Sequence, residues 1–346
     1  MAAPADYWSS ADLKGLAHGG LINPDIMQNI IDILDIDLPL TSRIGTPDQV
    51  DNSYTEWVQH TYGAPVLTNA AVDGADASAY NANPGVRVGN QCQISRKVIA
   101  VTTRARNSDV IGTSDEFAEQ LMRQTEQLRR DVEAISFLNQ ASVADNGDAI
   151  AGKIGGLNAW LTTNAERGAL GVDGGFAAGT VAAATLGTVR ALSETDIRDV
   201  CEMIYNQGFN PTLLMGRPAL IRKISEYMFS DTAKIAVQQT ETGKTGASVA
   251  VGSVKVFITD FDVELMFTPN RLQPYMNPGT NTNDSLFILT PEYLRHGHLH
   301  GYRVEPLAKL GLADRSQVAV DWTLKVLAEQ AQGVVADIDA TLAMVA

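Results

Sequence analysis

Three of the chain's five histidines stand together, at His296, His298 and His300. On a strand, i, i+2, i+4 spacing turns side chains to one face, an arrangement a metal site can use. No fourth ligand is evident nearby, and Arg295 and Arg303 flank the set. A polar strand or loop at a subunit contact is therefore favoured over a structural metal or a pH-sensitive contact. Gly243-Lys244-Thr245 matches the end of a phosphate-binding loop, but Gln238 occupies the position where that pattern needs its first glycine. No buried strand leads into it and no helix leads out. Asp32, Asp35 and Asp37, and likewise Glu116 and Glu119, pair carboxylates as acid–base catalysis does. No histidine, nucleophile or oxyanion donor joins them in a readable motif, so a solvated face or helix N-terminal acids account for them better. Cys92 and Cys201 lie far apart, without a CxxC pattern, and read as core residues. The expectation is a chain that is not an enzyme, with no catalytic, cofactor-binding or metal residue.

Composition narrows the classes further. The 346 residues are 45% hydrophobic and 19% charged, enough to bury a core. A net charge of −14 argues against direct reading of DNA, because phosphate contacts need Lys and Arg. A wall that only encloses DNA needs no basic groove. No stretch approaches the roughly 20 apolar residues of a membrane span. No signal peptide is visible at the N-terminus, and two cysteines exclude a disulfide framework.

Elements follow from periodicity. Residues 1–52 read as an arm, with helical spacing at Ile26, Ile30, Ile33 and Leu34 and breaks at Pro39 and Pro47. Residues 53–62 and 91–105 are rich in strand formers, and residues 69–90 between them offer little to bury. Together they predict a protruding two-stranded ribbon, which is barely stable alone. Its Trp57, Tyr62, Ile94 and Val98 are the candidate inter-subunit contacts. Thr113 and Glu116 form a T-x-x-E capping box opening a helix whose apolar face is Phe117, Leu121, Leu128, Val132 and Ile135. The pattern predicts roughly 30 residues, to about Val143, before the turn Asp145-Asn146-Gly147-Asp148.

Residues 152–161 read as a turn and strand, and the Gly, Ala and Thr of 168–188 as a flexible connector. An α-β-α unit spans 194–229. It has Ile197, Val200, Cys201, Ile204 and Tyr205 on one helix face, Gly208 past the helix end, and Leu220, Ile221, Ile224 and Met228 on the next helix. A polar loop over 230–252 precedes strands at 254–258, 263–267 and 286–289. Val318 to Val326 alternates strictly, with 333–338 expected as its hairpin partner.

This order, with the segments "GLNAWL", "NPTLLMGRPALIRKIS" and "LAKLGLADRSQVAVDWTLKVLAEQAQGVV", resembles the major capsid proteins of tailed bacteriophages, which share the Hong Kong 97-like α+β fold. The resemblance covers nearly the whole chain. It implies an N-terminal arm over 1–52, an extended E-loop over 53–110, and a P-domain with a long spine helix over 111–165. It further implies an A-domain with its preceding flexible loop over 166–285, and return strands closing both domains over 286–346. It implies self-assembly into hexamers and pentamers of an icosahedral head enclosing double-stranded DNA, made in the host cytoplasm and carried in the virion. A separate scaffolding protein, a portal and a decoration protein are the implied partners. Some members of the fold link a ribbon lysine to a neighbour's asparagine. Lys97 lies in the expected ribbon, but no catalytic acid is identifiable for it. An encapsulin-like compartment shell and a metal-dependent enzyme using the three histidines are the alternatives.

Overall fold

Two β-sheets and one long helix organise the computed structural model, which describes residues 37–74, 76, 84–110, 115–228, 256–259, 261, 263–277, 279 and 282–345. The capping box at Thr113, the Ile26–Leu34 stripe, the Asp32 and Asp35 carboxylates and the Gly243-Lys244-Thr245 loop all lie outside the described residues. The helix runs Glu116–Ser136, with Asp115 as its N-cap accepting from the Phe117 N–H. Glu116 and Glu119 sit at its positive end, and each also holds a side chain one turn on: Glu116 with Gln120 at 2.7 Å, Glu119 with Arg123 at 2.9 Å.

The helix stops at Ser136, short of the expected Val143. Phe137 leaves it to bury its ring against Phe287, with ring centroids 5.2 Å apart. Asn139 then takes up the backbone of Ala184, donating to its carbonyl and accepting from its N–H. Tertiary partners end the helix before its periodicity does.

The first sheet has four strands in the order β1 (Asp48–Gln49), β12 (Leu294–Leu307), β13 (Ala313–Val326), β4 (Gln93–Thr102). β4 buries Ser95, Ile99 and Val101 on the side facing the helix, where Lys97 pairs with Asp131 at 2.7 Å. Leu128 and Val132 of the helix are buried in the same core.

The second sheet has six strands in the order β5 (Ala165–Glu166), β14 (Gly333–Ile338), β11 (Asp284–Leu289), β8 (Leu213–Gly216), β10 (Glu264–Pro269), β9 (Val256–Ile258). Its central strands are apolar on both faces, as doubly covered strands must be. Phe287, Leu289, Leu213, Met215, Val334 and Ala336 join the core of the long helix. Leu286, Ile288, Leu214, Val335 and Leu265 face the other way, onto the helices Glu194–Asn206 and Pro218–Met228. The α-β-α unit is therefore present as expected. Ser193 and Asp196 close a capping box at its start, and Gly208 at φ +89° follows the first helix. Tyr205 is half exposed and stacks on Phe261.

Four expectations need correction. The ribbon pairs β2 (Tyr54–Gln59) with β3 (Val86–Gln91), within the segment expected to be a bare tip, and β4 turns away after Cys92 to join β13. Gly89 permits the pairing, since a Cβ there would meet Thr55 O and the Tyr54 ring at 2.8 Å. Residues 152–161 end in a buried helical turn, Leu157–Trp160, and not a strand. Residues 168–188 are no simple connector: β6 (Gly175–Ala177) and β7 (Thr180–Ala182) form a hairpin that buries Val181 and stacks Phe176 on Trp160. β14 pairs with β11 and β5 and not with β13. β14 is buried on both faces, as the centre of the six-stranded sheet requires, and Glu329 holds the connection to it, its carboxylate accepting from Thr162 N, Thr163 N and Thr163 Oγ1.

Candidate assembly interface

The four candidate contact residues do not share one environment. Trp57 sits opposite Val88 in the β2–β3 ladder, and both turn inward. Its indole packs on Trp160 at 5.7 Å, and Trp160 in turn stacks on Phe176. The base of the ribbon is thus bound to its own chain, helped by Gln59 Nε2, which donates to the Leu327 carbonyl at 2.7 Å. Beyond Gln59 the chain leaves the body. Residues 60–74 are exposed throughout, including the large apolar side chains Tyr62, Val66, Leu67 and Val72. Ile94 and Val98 are exposed on the face of β4 opposite the long helix. Lys97 lies on β4, turned toward the helix and paired with Asp131, and so stands apart from the ribbon.

A second exposed apolar spot escaped the sequence reading. The β12–β13 turn presents Leu310 and Leu312 to solvent, with Gly311 at φ +68°. The turn is held in place by Lys309 and Arg106, both on Asp314, and by Thr103 N–H on Leu312 O. Leucines flanking a turn glycine were the available signal.

A β-bulge in β12 separates His300 from His296 and His298. The register slips between His298 and His300 and again before Arg303. His296 is buried edge-on to Trp322, with Nε2 3.2 Å from Ser136 Oγ of the long helix. Burial pushes it down to about 4, with His298 nearby adding to the effect. His298 packs against Tyr302, over which the Arg129 guanidinium lies, and burial lowers it as well. His300 is exposed and lies across from Asp321 on β13. Among the described residues, no three His, Cys, Asp or Glu side chains converge as a metal site requires. The carboxylates Glu116 and Glu119 serve the helix N-terminus. Burial raises the thiols of Cys92 to about 11 and Cys201 to about 12, so neither supplies a thiolate near neutral pH.

The residues that set the geometry of this surface are buried polar groups that periodicity does not reveal. Glu133, wholly buried on the long helix, gathers four donors. Leu40 N–H and Asn270 Nδ2 donate to Oε1, and Thr41 N–H and Oγ1 to Oε2, at 2.6 to 2.9 Å. It fastens the incoming N-terminal segment and the end of β10 to the helix. Asn90, also wholly buried, donates to Gly155 O and Leu324 O and accepts from Gly155 N–H and Gln91 N–H. Every polar atom of that amide is used, which locks the ribbon base in register. A polar residue next to Val132 on the buried helix face was the only sequence hint of Glu133.

The whole arrangement has counterparts among known proteins. A family model described as SU10 major capsid protein matches residues 10–339. Among solved structures, the capsid of a native GTA particle is similar at a TM-score of 0.57 and 13% identity, covering 93% of this chain and 98% of that one. A chain of Microbacterium phage Oxtober96 is similar at 0.55 and 11%, covering 96% and 99%. The holo-SrpI encapsulin complex from Synechococcus elongatus PCC 7942 follows at 0.50 and 13%, covering 91% and 94%. At these identities the likeness is one of fold. No curated protein sequence matches.

Proposed function

Because the chain belongs to the SU10 major capsid protein family, we propose that it builds the shell of a tailed-phage head by geometry alone. It is a structural protein of the phage capsid and a component of the virion. The observation that carries this reading is the family match over residues 10–339. Copies pack into hexamers and pentamers that close around double-stranded DNA. Residues 1–52 act as the arm and 53–110 contain the E-loop. The long helix is the P-domain spine, and the six-stranded sheet with its two helices is the A-domain.

Exposed segments explain how a monomer becomes a wall. Tyr62, Val66, Leu67 and Val72 on one extended segment and Ile94 and Val98 on a sheet face are liabilities for a free subunit. Buried against a second copy, they become interface anchors, and aromatic anchors carry much of such binding energy. Trp57 contributes indirectly, by fixing the ribbon's root. The separate scaffolding protein, portal, decoration protein and host-cytoplasm assembly belong to this proposal too.

Light scattering and negative-stain imaging of the expressed chain, alone and with a scaffolding protein, test it. Capsomers or closed shells are expected. A persistent monomer under both conditions would refute it. Shells filled with protein cargo and no DNA would favour the encapsulin-like alternative.

A further inference from the structure

The turn beyond the long helix has a geometry that assembly does not use. Val143 and Lys153 bridge antiparallel through hydrogen bonds of 3.0 and 2.9 Å, pinning the loop between them. At its exposed tip the Asn146 side-chain oxygen accepts three backbone N–H groups: Asp148 at 3.0 Å, Ala149 at 3.1 Å and Ile150 at 2.9 Å. The next N–H along the chain, that of Gly147, donates to Asp145 Oδ1 at 2.9 Å. Gly147 has φ +72°, and a Cβ there would meet nothing within 4 Å.

We propose that this turn modifies itself, converting Asn146 through a cyclic imide to aspartate and isoaspartate. The Gly147 nitrogen attacks Asn146 Cγ, forming the N–Cγ bond. Its proton passes to the Asp145 carboxylate. The Cγ–Nδ2 bond then breaks, and Nδ2 departs as ammonia carrying that proton. Water opens the ring at either carbonyl, which restores the amide N–H and leaves one new carboxylate. Nothing is oxidised or reduced.

Each group has a defined part. Three N–H groups on the oxygen of the attacked carboxamide form an oxyanion hole, and their bonds strengthen as charge grows on that oxygen. Asp145 is the base on the attacking nitrogen. Glycine as the attacking residue brings no side chain to obstruct the approach. The conversion adds a negative charge beside Asp145, which lies near Asp321 of β13: burial raises the Asp321 carboxyl most, and Asp145 adds to it. It therefore marks the age of a subunit close to Asp321, the residue across from Ile94 in the β13–β4 ladder.

The test compares full-length chain held folded in neutral buffer with the same chain unfolded in urea. Peptide mapping by mass spectrometry and isoaspartate detection follow Asn146. The folded chain is expected to convert about tenfold faster, less than a fully enclosed base supplies because this carboxylate stays in water. Asp145→Ser keeps an acceptor for the Gly147 N–H, lacks the basicity, and should fall below the wild-type rate toward the unfolded one. Hydrogen exchange at Asp148, Ala149 and Ile150 checks that the turn persists in that variant. Conversion in the folded chain no faster than in the unfolded one overturns the proposal, whatever the variant does. So does a wild-type rate in Asp145→Ser with the turn intact.

Discussion

Glu133→Ala should loosen the N-terminal segment and the end of β10 from the long helix. The carboxylate holds four donors. Leu40 and Asn270 are wholly buried, so truncation strands the Leu40 N–H and leaves Asn270 Nδ2 only the weak Met215 sulfur acceptor, while Thr41 is partly exposed and recovers some solvation. Two buried donors losing the carboxylate at about 1–3 kcal/mol each give roughly 2–6 kcal/mol, offset in part by no longer desolvating a carboxylate. A net loss of about 1–4 kcal/mol is expected. Glu133→Gln keeps one acceptor oxygen and turns an NH2 toward the other donors, so about half that loss follows.

Urea unfolding of the assembly-competent subunit gives the magnitude, and trypsin gives the location. Arg43 lies in the short helix Thr41–Ile44 that Glu133 anchors. Cleavage after Arg43 should accelerate in Glu133→Ala well before the body of the chain opens, because proteolysis follows local opening. If Glu133→Ala is within about 1 kcal/mol of wild type and Arg43 is cut no faster, the carboxylate is not the fastener described.

Other predictions concern the core, acid and the ribbon. Leu128→Ala, at a wholly buried site, should cost about 2–5 kcal/mol in urea unfolding, and a normally stable variant would place Leu128 outside the core. His296 is held at about 4, below its ordinary 6.5, so the unfolded chain takes up the proton first. Its contribution is complete above pH 6.5 and is lost as pH falls toward 4, by a few kcal/mol at the order-of-magnitude level. Asp284, raised by burial to about 6 despite Arg217, works in the opposite sense, losing stability as pH rises from 3.8 to 6. The His296 share is therefore read as the difference in thermal midpoints between wild type and His296→Phe across that range, and parallel curves would refute it. Replacing residues 63–84 with a short Gly-Ser turn keeps β3 and the Trp57 stack. Circular dichroism should show a folded chain and sedimentation a failure to close shells, whereas normal shells would remove this segment from the interface.

Much of the fold was legible because burial writes itself into local pattern. The runs Leu213–Met215 and Leu286–Leu289 are apolar at every position because both faces of their sheet are covered. Helix faces were readable for the same reason. What stayed hidden depended on partners distant in sequence. The β3 strand is a short Val-Arg-Val run amid glycine and asparagine, and only its pairing with β2 reveals it. The swing of β14 away from β13 rests on its ladders with β11 and β5, with Glu329 holding the connection to Thr162 and Thr163. Three histidines at strand spacing would share a face on a regular strand, and a bulge undoes that without an evident local signature. Of the four contact candidates, the exposed Tyr62, Ile94 and Val98 fit the expected exposure, while Trp57 shows that an aromatic on a thin ribbon can still be claimed by its own chain.

The Trp57–Trp160–Phe176 stack also makes the molecule its own optical gauge. Two of the four tryptophans lie within one pile of rings at the ribbon's root, and neither of their ring N–H groups has a hydrogen-bond partner. Indole emission shifts to longer wavelength when water reaches the ring. A ribbon that swings when a shell forms would therefore change the colour and polarisation of intrinsic fluorescence, while one that stays rooted would leave both constant. The motion of an unlabelled particle could then be timed by stopped-flow, with Trp57→Phe and Trp160→Phe assigning the signal to the stack.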